Sequence, residues 1–160
     1  QWQEICDNQL FKNLPFRFET DRWGKVVMSP ATNRHSRYQG LINRWLDRLL
    51  ANGEAIPECS IQTAEGVKVA DVVWASADFL HRHGLENPFS AAPEIIVEIL
   101  SPSNTLAEME QKKELYFAQG AQEFWICQED GMMRFYNRHT RIDSSQLVAN
   151  FPAQLKLAFT

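Results

Sequence analysis

The chain has no excess of positive charge: 16 lysines and arginines face 20 acids, a formal net charge of −4. A protein that coats nucleic acid indiscriminately needs a basic surface to release counterions, so that class is disfavoured. No apolar run approaches the roughly 18–20 residues of a membrane-spanning helix, and no signal peptide is visible. A cytoplasmic protein is expected, and a chain opening on Gln1 rather than Met is expected to start after the true N-terminus. Cysteine is scarce. Cys6, Cys59 and Cys127 are odd in number, far apart and form no CxxC pair, which suits a reduced, intracellular setting with the thiols as packing residues. P-loop, GxGxxG, GxSxG and HExxH motifs are all missing, and His81 and His83 have no third ligand at metal spacing. With no internal repeat, low-complexity stretch or dividing linker, residues 1–160 read as a single domain long enough to bury a proper core.

What is present is unevenly charged. Lys12, Arg17, Arg22, Lys25, Arg34, Arg37, Arg44 and Arg48 share the segment 12–48 with only Glu19, Asp21 and Asp47. A local basic face on an acidic body is compatible with a phosphate-bearing substrate, although a solvated helix face gives the same pattern.

The periodicity predicts a short helix within 2–12, then a hairpin of 16–20 and 25–28 around Asp21-Arg22-Trp23-Gly24, with Ser29-Pro30 breaking its second strand. A helix follows over 34–51, with Tyr38, Leu41, Ile42, Trp45, Leu46, Leu49 and Leu50 on one stripe. Two strands, 55–63 and 67–75, meet at the tight turn Ala64-Glu65-Gly66 and pair antiparallel. A short helix near 78–81, a core strand at 94–100 and a helix over 105–119 come next. That last helix carries a capping box, Thr105 with Glu108, and Gly120 as its stop. Strands at 123–128, 132–137 and 154–159 complete the chain. The expected fold is α/β: a mixed β-sheet flanked by helices, with an N-terminal β-hairpin.

Within the apolar run Ile95-Ile96-Val97-Glu98-Ile99-Leu100 sits one carboxylate, and Asp71 interrupts the similar run 67–74. Burying an ionised carboxylate costs several kcal/mol or more unless a positive group offsets it. By strand parity Val67, Val69, Asp71 and Val73 share one face, as do Ile96, Glu98 and Leu100. If the two strands are neighbours the acids converge, and carboxylates about 4 Å apart repel by roughly 4 kcal/mol at an effective dielectric near 20. Either one holds a proton or a cation sits between them. Magnesium keeps several waters and needs few protein oxygens, so two carboxylates suffice.

Lys112 lies one turn from Tyr116 on the helix after Glu98, on the side of Met109, Leu115 and Tyr116. It can orient a water and stabilise charge on a phosphate, or pair with Glu108 on the surface; Lys113 faces outward. Glu19, before the hairpin turn, is a further acid or a strand-end surface residue. His35 is a packed or a functional histidine. Trp74 and Trp125 belong to the core.

Two strings, VADVVWAS and PEIIVEILSPSNTLAEMEQKKELYFAQGAQEFWIC, resemble the putative restriction endonuclease family of the PD-(D/E)XK nuclease superfamily. FETDRWGKVVMSP and RHSRYQGLINRWL are similar to its N-terminal part, so the likeness runs from about Phe16 to Phe159. The resemblance implies a restriction endonuclease-like core and a divalent-metal site of Asp71, Glu98 and the Ile99 carbonyl, with Lys112 as the lysine of the family's helix and Glu19 and His35 as accessory positions. Two departures stand out. Ala70, not proline, precedes Asp71, and Leu100 occupies the position two after the glutamate where the superfamily usually has lysine. The site is complete only if Lys112 reaches it from the helix.

The expected activity is a Mg²⁺- or Mn²⁺-dependent endonuclease on DNA, with Arg34 and Arg37 on backbone phosphates and a homodimer serving two strands. The rival expectation is a catalytically inactive nuclease-fold protein acting as a nucleic-acid-binding or protein-interaction module. A hydrolase of another phosphate ester comes third.

Overall fold

A computed structural model describes residues 1–160. Its backbone is a six-stranded sheet in the order β3 (Gly53–Thr63), β4 (Gly66–Ser76), β5 (Ile95–Ile99), β6 (Glu123–Cys127), β7 (Met133–Asn137) and β8 (Arg141–Ile142). Only β5 and β6 run parallel. A parallel pair needs a crossover, and α5 (Leu106–Ala118) supplies it. Every residue of β5 and β6 is buried, because both faces of the central sheet are covered.

The two faces hold two separate cores. Under α5 and α4 (Ala77–His83), Ile96, Phe124, Ile126, Met109 and Tyr116 pack with Phe79 and Val73. Under α3 (Asn33–Leu49), Tyr38, Ile42 and Leu46 pack with Val72, Val97, Ile99 and Trp125. Each helix starts where its sequence says. Thr32 accepts the His35 amide at 3.2 Å, and Thr105 and Glu108 form the full capping box, an arrangement worth about 1 kcal/mol. Gly120, at φ 107°, ends α5 in a left-handed conformation that suits glycine.

Outside this sheet lie α1 (Trp2–Asp7), α2 (Gln9–Lys12) and the hairpin of β1 (Phe16–Thr20) and β2 (Val26–Pro30). The hairpin packs its first strand on β4: Thr20 Oγ1 accepts the Val67 amide at 2.8 Å, and Lys68 Nζ donates to the Thr20 carbonyl at 2.9 Å. No helix is long and apolar enough to cross a membrane.

Four details differ from the sequence reading. Residues 2–12 form two helices, because Asn8 is extended at ψ 116° and its side chain caps the second through Leu10. Pro30 closes β2 opposite Phe16 instead of breaking it, which an edge strand tolerates. Residues 154–159 make no strand, only a single bridge from Gln154 to Met132; Val148, Phe151 and Leu155 are drawn into the core, with the Phe151 ring 4.6 Å from that of Trp125. The sheet's last strand is β8 instead. Finally, strict alternation along β4 fails at Asp71. Ala70 and Val73 both join the core under α5, while Val72 joins the one under α3. The cause is local: opposite Asp71, Glu58 has φ 52° and the β3–β4 ladder skips this pair.

Candidate active site

The β4–β5 register pairs Val72 with Val97. One step further along both strands stand Asp71 and Glu98, so the two acids face each other at the point where the ladder stops. Both are 1 % exposed. The interrupted ladder leaves the Asp71 carbonyl without its strand partner. Gln39 of α3 replaces it, donating from Nε2 to that carbonyl at 2.8 Å and to Glu58 Oε1 at 2.6 Å.

The Asp71 carboxylate is held by backbone on one side and faced by side chains on the other. Oδ2 accepts the Ile99 amide at 2.5 Å, so Ile99 turns its backbone toward β4 as its neighbour Leu100 bonds β6 through the Cys127 carbonyl. Oδ1 contacts the Arg17 guanidinium and lies 3.1 Å from His35 Nε2. Neither contact meets strict hydrogen-bond geometry at this buried oxygen, yet both groups lie close enough to stabilise its charge. His35 Nε2 is also 3.1 Å from Arg17 Nη1, and one ring nitrogen serves only one of them, as acceptor or as donor.

Glu98 is held by α5. Tyr116 donates its hydroxyl to Oε1 at 3.0 Å, and Lys112 Nζ lies 3.4 Å from the same oxygen. Lys112 also donates to Glu19 Oε1 at 2.7 Å, and that oxygen accepts the Val69 amide at 3.0 Å. The lysine therefore points inward and bridges the hairpin to the sheet, while Glu108, its surface alternative, is engaged in the capping box. Lys113 does not join the network, but it does not face outward as expected: its side chain is 16 % exposed against 19 % for Lys112, and it packs over the Tyr136 ring and pairs with Glu110.

These neighbours split the two acids electrostatically. Burial pushes Asp71 up, but the approach of His35 and the charge of Arg17 outweigh it and leave the group below the ordinary carboxylate value. Burial pushes Glu98 up, to about 8; Lys112 and Arg17 pull it down, and Asp71 and Glu19 reinforce the rise. Lys112 and Arg17 lose solvation on burial, but the surrounding acids more than compensate and raise both. Tyr116 is raised well above its usual value by burial and by Glu98. One acid firmly ionised beside one prone to hold a proton is the pattern expected of a working site.

Strand and helix thus bring Asp71, Glu98, Lys112, Glu19 and His35 into one network, with the Ile99 backbone on Asp71. Arg34 and Arg37 do not join it. Arg34 lies 3.8 Å from Glu129, and Arg37 donates to the Ala158 carbonyl. Arg17, Tyr116 and Gln39 are members that sequence reasoning missed. Arg17 carried a usable signal, because it lies two residues from Glu19 on β1 and so on the same face; Tyr116 stands one helical turn beyond Lys112.

A cleft of about 270 Å³ leads to this network between the hairpin and the start of α5. Its walls include Ser29, Ser103, Asn104 and Gln111, and among its charged groups four acids, Glu19, Asp21, Glu65 and Glu108, accompany two lysines, Lys68 and Lys112. Asp71 and Glu98 are not on its surface. Lys112 and Glu19 stand between them and the opening.

No three His, Cys, Asp or Glu side chains converge as a ready-made metal cage. Two carboxylates with water suffice for magnesium, and the donors here fit that ion: Asp71 Oδ1 is a buried oxygen whose Arg17 and His35 contacts are poorly directed, and Glu98 faces it from the adjacent strand. The charge needed at this point is at present provided by Arg17 and Lys112.

The model of the Uma2 family, described as "Putative restriction endonuclease", matches residues 4–157. Among solved structures, a "putative nuclease belonging to DUF820" from Anabaena variabilis ATCC 29413 superposes with a TM-score of 0.66 at 20 % identity, covering 81 % of this chain and 78 % of that one. The likeness is one of fold. No curated protein sequence matches.

Proposed function

The chain belongs to the Uma2 family of restriction-endonuclease-like proteins, and on that footing we propose that it is a divalent-metal-dependent endonuclease hydrolysing DNA phosphodiester bonds. The observation that carries this reading is the meeting of Asp71, Glu98 and Lys112 around one buried point. In the proposal the whole chain, 1–160, acts as one restriction endonuclease-like domain, in the cytoplasm and as a homodimer suited to two strands.

Asp71, Glu98 and the Ile99 carbonyl would hold Mg²⁺ or Mn²⁺. When bound, that ion supplies a Lewis acid for a phosphate oxygen and lowers the pKa of a water. The protein's own groups do the positioning. Lys112, pinned between Glu19 and Glu98, stands where its ammonium orients the attacking water and balances charge gathering on the phosphate. Tyr116 fixes the Glu98 carboxyl from behind, and the Ile99 amide fixes that of Asp71. Glu19 and His35 position Lys112 and Asp71 respectively. Arg34 and Arg37, at the exposed start of α3, contact backbone phosphates farther out.

The test is nicking of supercoiled plasmid in Mg²⁺ or Mn²⁺, read beside Mn²⁺ binding. Wild type is expected to nick only with the ion. Lys112→Met is expected to lose about 10²–10³-fold in rate while still binding Mn²⁺, since it removes the water's partner and neither carboxylate. Equal nicking by wild type and the variant rules out this assignment of Lys112. A protein that binds Mn²⁺ but nicks neither plasmid nor single strands fits the inactive, binding-module reading instead.

A further inference from the structure

Arg17 comes from the hairpin, not from the sheet that carries the acids, and it is the group nearest the buried Oδ1 of Asp71. Its guanidinium contacts Asp71 Oδ1, reaches His35 Nε2 at 3.1 Å and the Val69 carbonyl at 3.4 Å, and ties to Glu58 Oε2 at 3.1 Å. Of its two carboxylate partners, Asp71 is sealed and Glu58 is open: their side chains are 1 % and 44 % exposed. The guanidinium can therefore leave Asp71 without losing an ionic partner, by turning toward Glu58 and solvent.

Geometry makes that departure necessary, because the guanidinium occupies the Asp71 oxygen that a metal ion would take. Around the buried point Arg17 and Lys112 already face Asp71, Glu98 and Glu19. A doubly charged ion placed against Asp71 with Arg17 still in contact would also repel the guanidinium directly. A phosphodiester brings a further negative charge and offers the guanidinium two non-bridging oxygens, a two-pronged partner of the kind it prefers. Building on the metal-site reading above, we propose that Arg17 is the counter-ion a divalent metal displaces from Asp71, and that it passes from that carboxylate to the substrate phosphate, so that metal and DNA bind cooperatively. Once Arg17 has left, His35 Nε2 loses its competing partner and serves Asp71 alone. Arg17 is thus a positioning residue in the free protein and a phosphate ligand in the loaded one.

The experiment is calorimetric titration of Mn²⁺ into the full chain, with and without a short phosphorothioate DNA duplex as the phosphodiester probe. Arg17→Gln, which removes the charge and leaves a shorter polar side chain, is expected to bind Mn²⁺ on the order of tenfold tighter than wild type without DNA. That is the effect of one positive charge about 5 Å from a divalent ion even at water's dielectric. Arg17→Lys, which keeps the charge, is expected to stay near wild type. In wild type the duplex is expected to tighten Mn²⁺ about tenfold, and in Arg17→Gln by less. The wild-type arm stands without any variant: Mn²⁺ affinity indifferent to the duplex overturns the proposal. So does Arg17→Gln binding Mn²⁺ no more tightly than wild type while melting at the same temperature. Absence of Mn²⁺ binding in every protein, with or without DNA, overturns the metal-site reading as well, which separates the two failures.

Discussion

Glu98→Gln is expected to melt at a higher temperature than wild type at pH 8.5 and to be inactive as a nuclease. The cause is electrostatic linkage. Burial raises the Glu98 carboxyl from 4.5 to about 8 in the folded chain. Over that interval the folded state retains a proton that the unfolded state has lost, so the wild type loses stability as pH rises from about 4.5 toward about 8 and loses no more above it. Gln does not ionise, keeps the shape and still accepts from Tyr116. Lys112 keeps Glu19 at 2.7 Å. The gap in melting temperature between variant and wild type should therefore be small near pH 4.5, widen through neutrality and level off above pH 8. Activity should fall about 10³-fold or more, because a neutral amide is a poor partner for a divalent cation. Such an exchange of stability for function is common where a site is built from groups the fold would not choose. A melting temperature below wild type at pH 8.5 would mean that the pairing of Glu98 with Lys112 outweighs its burial.

Asp71→Ala is expected to do the reverse for stability and the same for function. Asp71 is the firmly ionised member of the pair, and its removal leaves Arg17 and His35 facing each other with no acid between them, and the Ile99 amide without its acceptor. Breaking a buried pair from one side costs about 3–5 kcal/mol; Glu58 retains part of the Arg17 interaction, so about 3 kcal/mol is expected in urea unfolding. Mn²⁺ binding should vanish and nicking should fall to background. Asp71→Asn makes the useful control, since it keeps an acceptor for Ile99 and should recover much of the stability but none of the metal binding. Mn²⁺ bound equally by wild type and Asp71→Ala would place the ion elsewhere.

Much of this was legible beforehand, for physical reasons. The long helix α3, the antiparallel pair β3–β4 and the capped helix α5 each combine a clear period with a clear stop, and each formed within a few residues of expectation. The convergence of Asp71 and Glu98 followed from two acids on neighbouring apolar strands. Lys112 was found through the family resemblance, since spacing alone allowed a surface pair with Glu108. The break in alternation at Asp71 depends on the backbone of Glu58, whose side chain does nothing to signal φ 52°; the one readable sign was Pro57 just before it, since proline inside a strand marks an edge or a bulge. Nor is a carboxylate in an apolar strand a sufficient sign of chemistry. Glu123 is 2 % exposed at the head of β6, and it is fully engaged by the Trp125 indole, the Ser145 hydroxyl and the amides of Gln146 and Leu147. That acid fastens a loop. What separates it from Glu98 is the donor set each finds on folding, information that sits some 20 residues away along the chain.

The cleft beside Lys112 carries more acid than base. A polyanion approaching it meets repulsion at the doorway and attraction only where a divalent ion has been added to the floor, since Arg17 and Lys112 do not outnumber the acids they face there. Most proteins that capture DNA slow down as simple salt is added, because salt weakens the pull. Here dilute salt screens the outer acids of the doorway, Asp21, Glu65 and Glu108, more than the buried floor. Capture should therefore quicken on the first addition of salt before it slows, giving this protein an ionic-strength optimum instead of a monotonic decline.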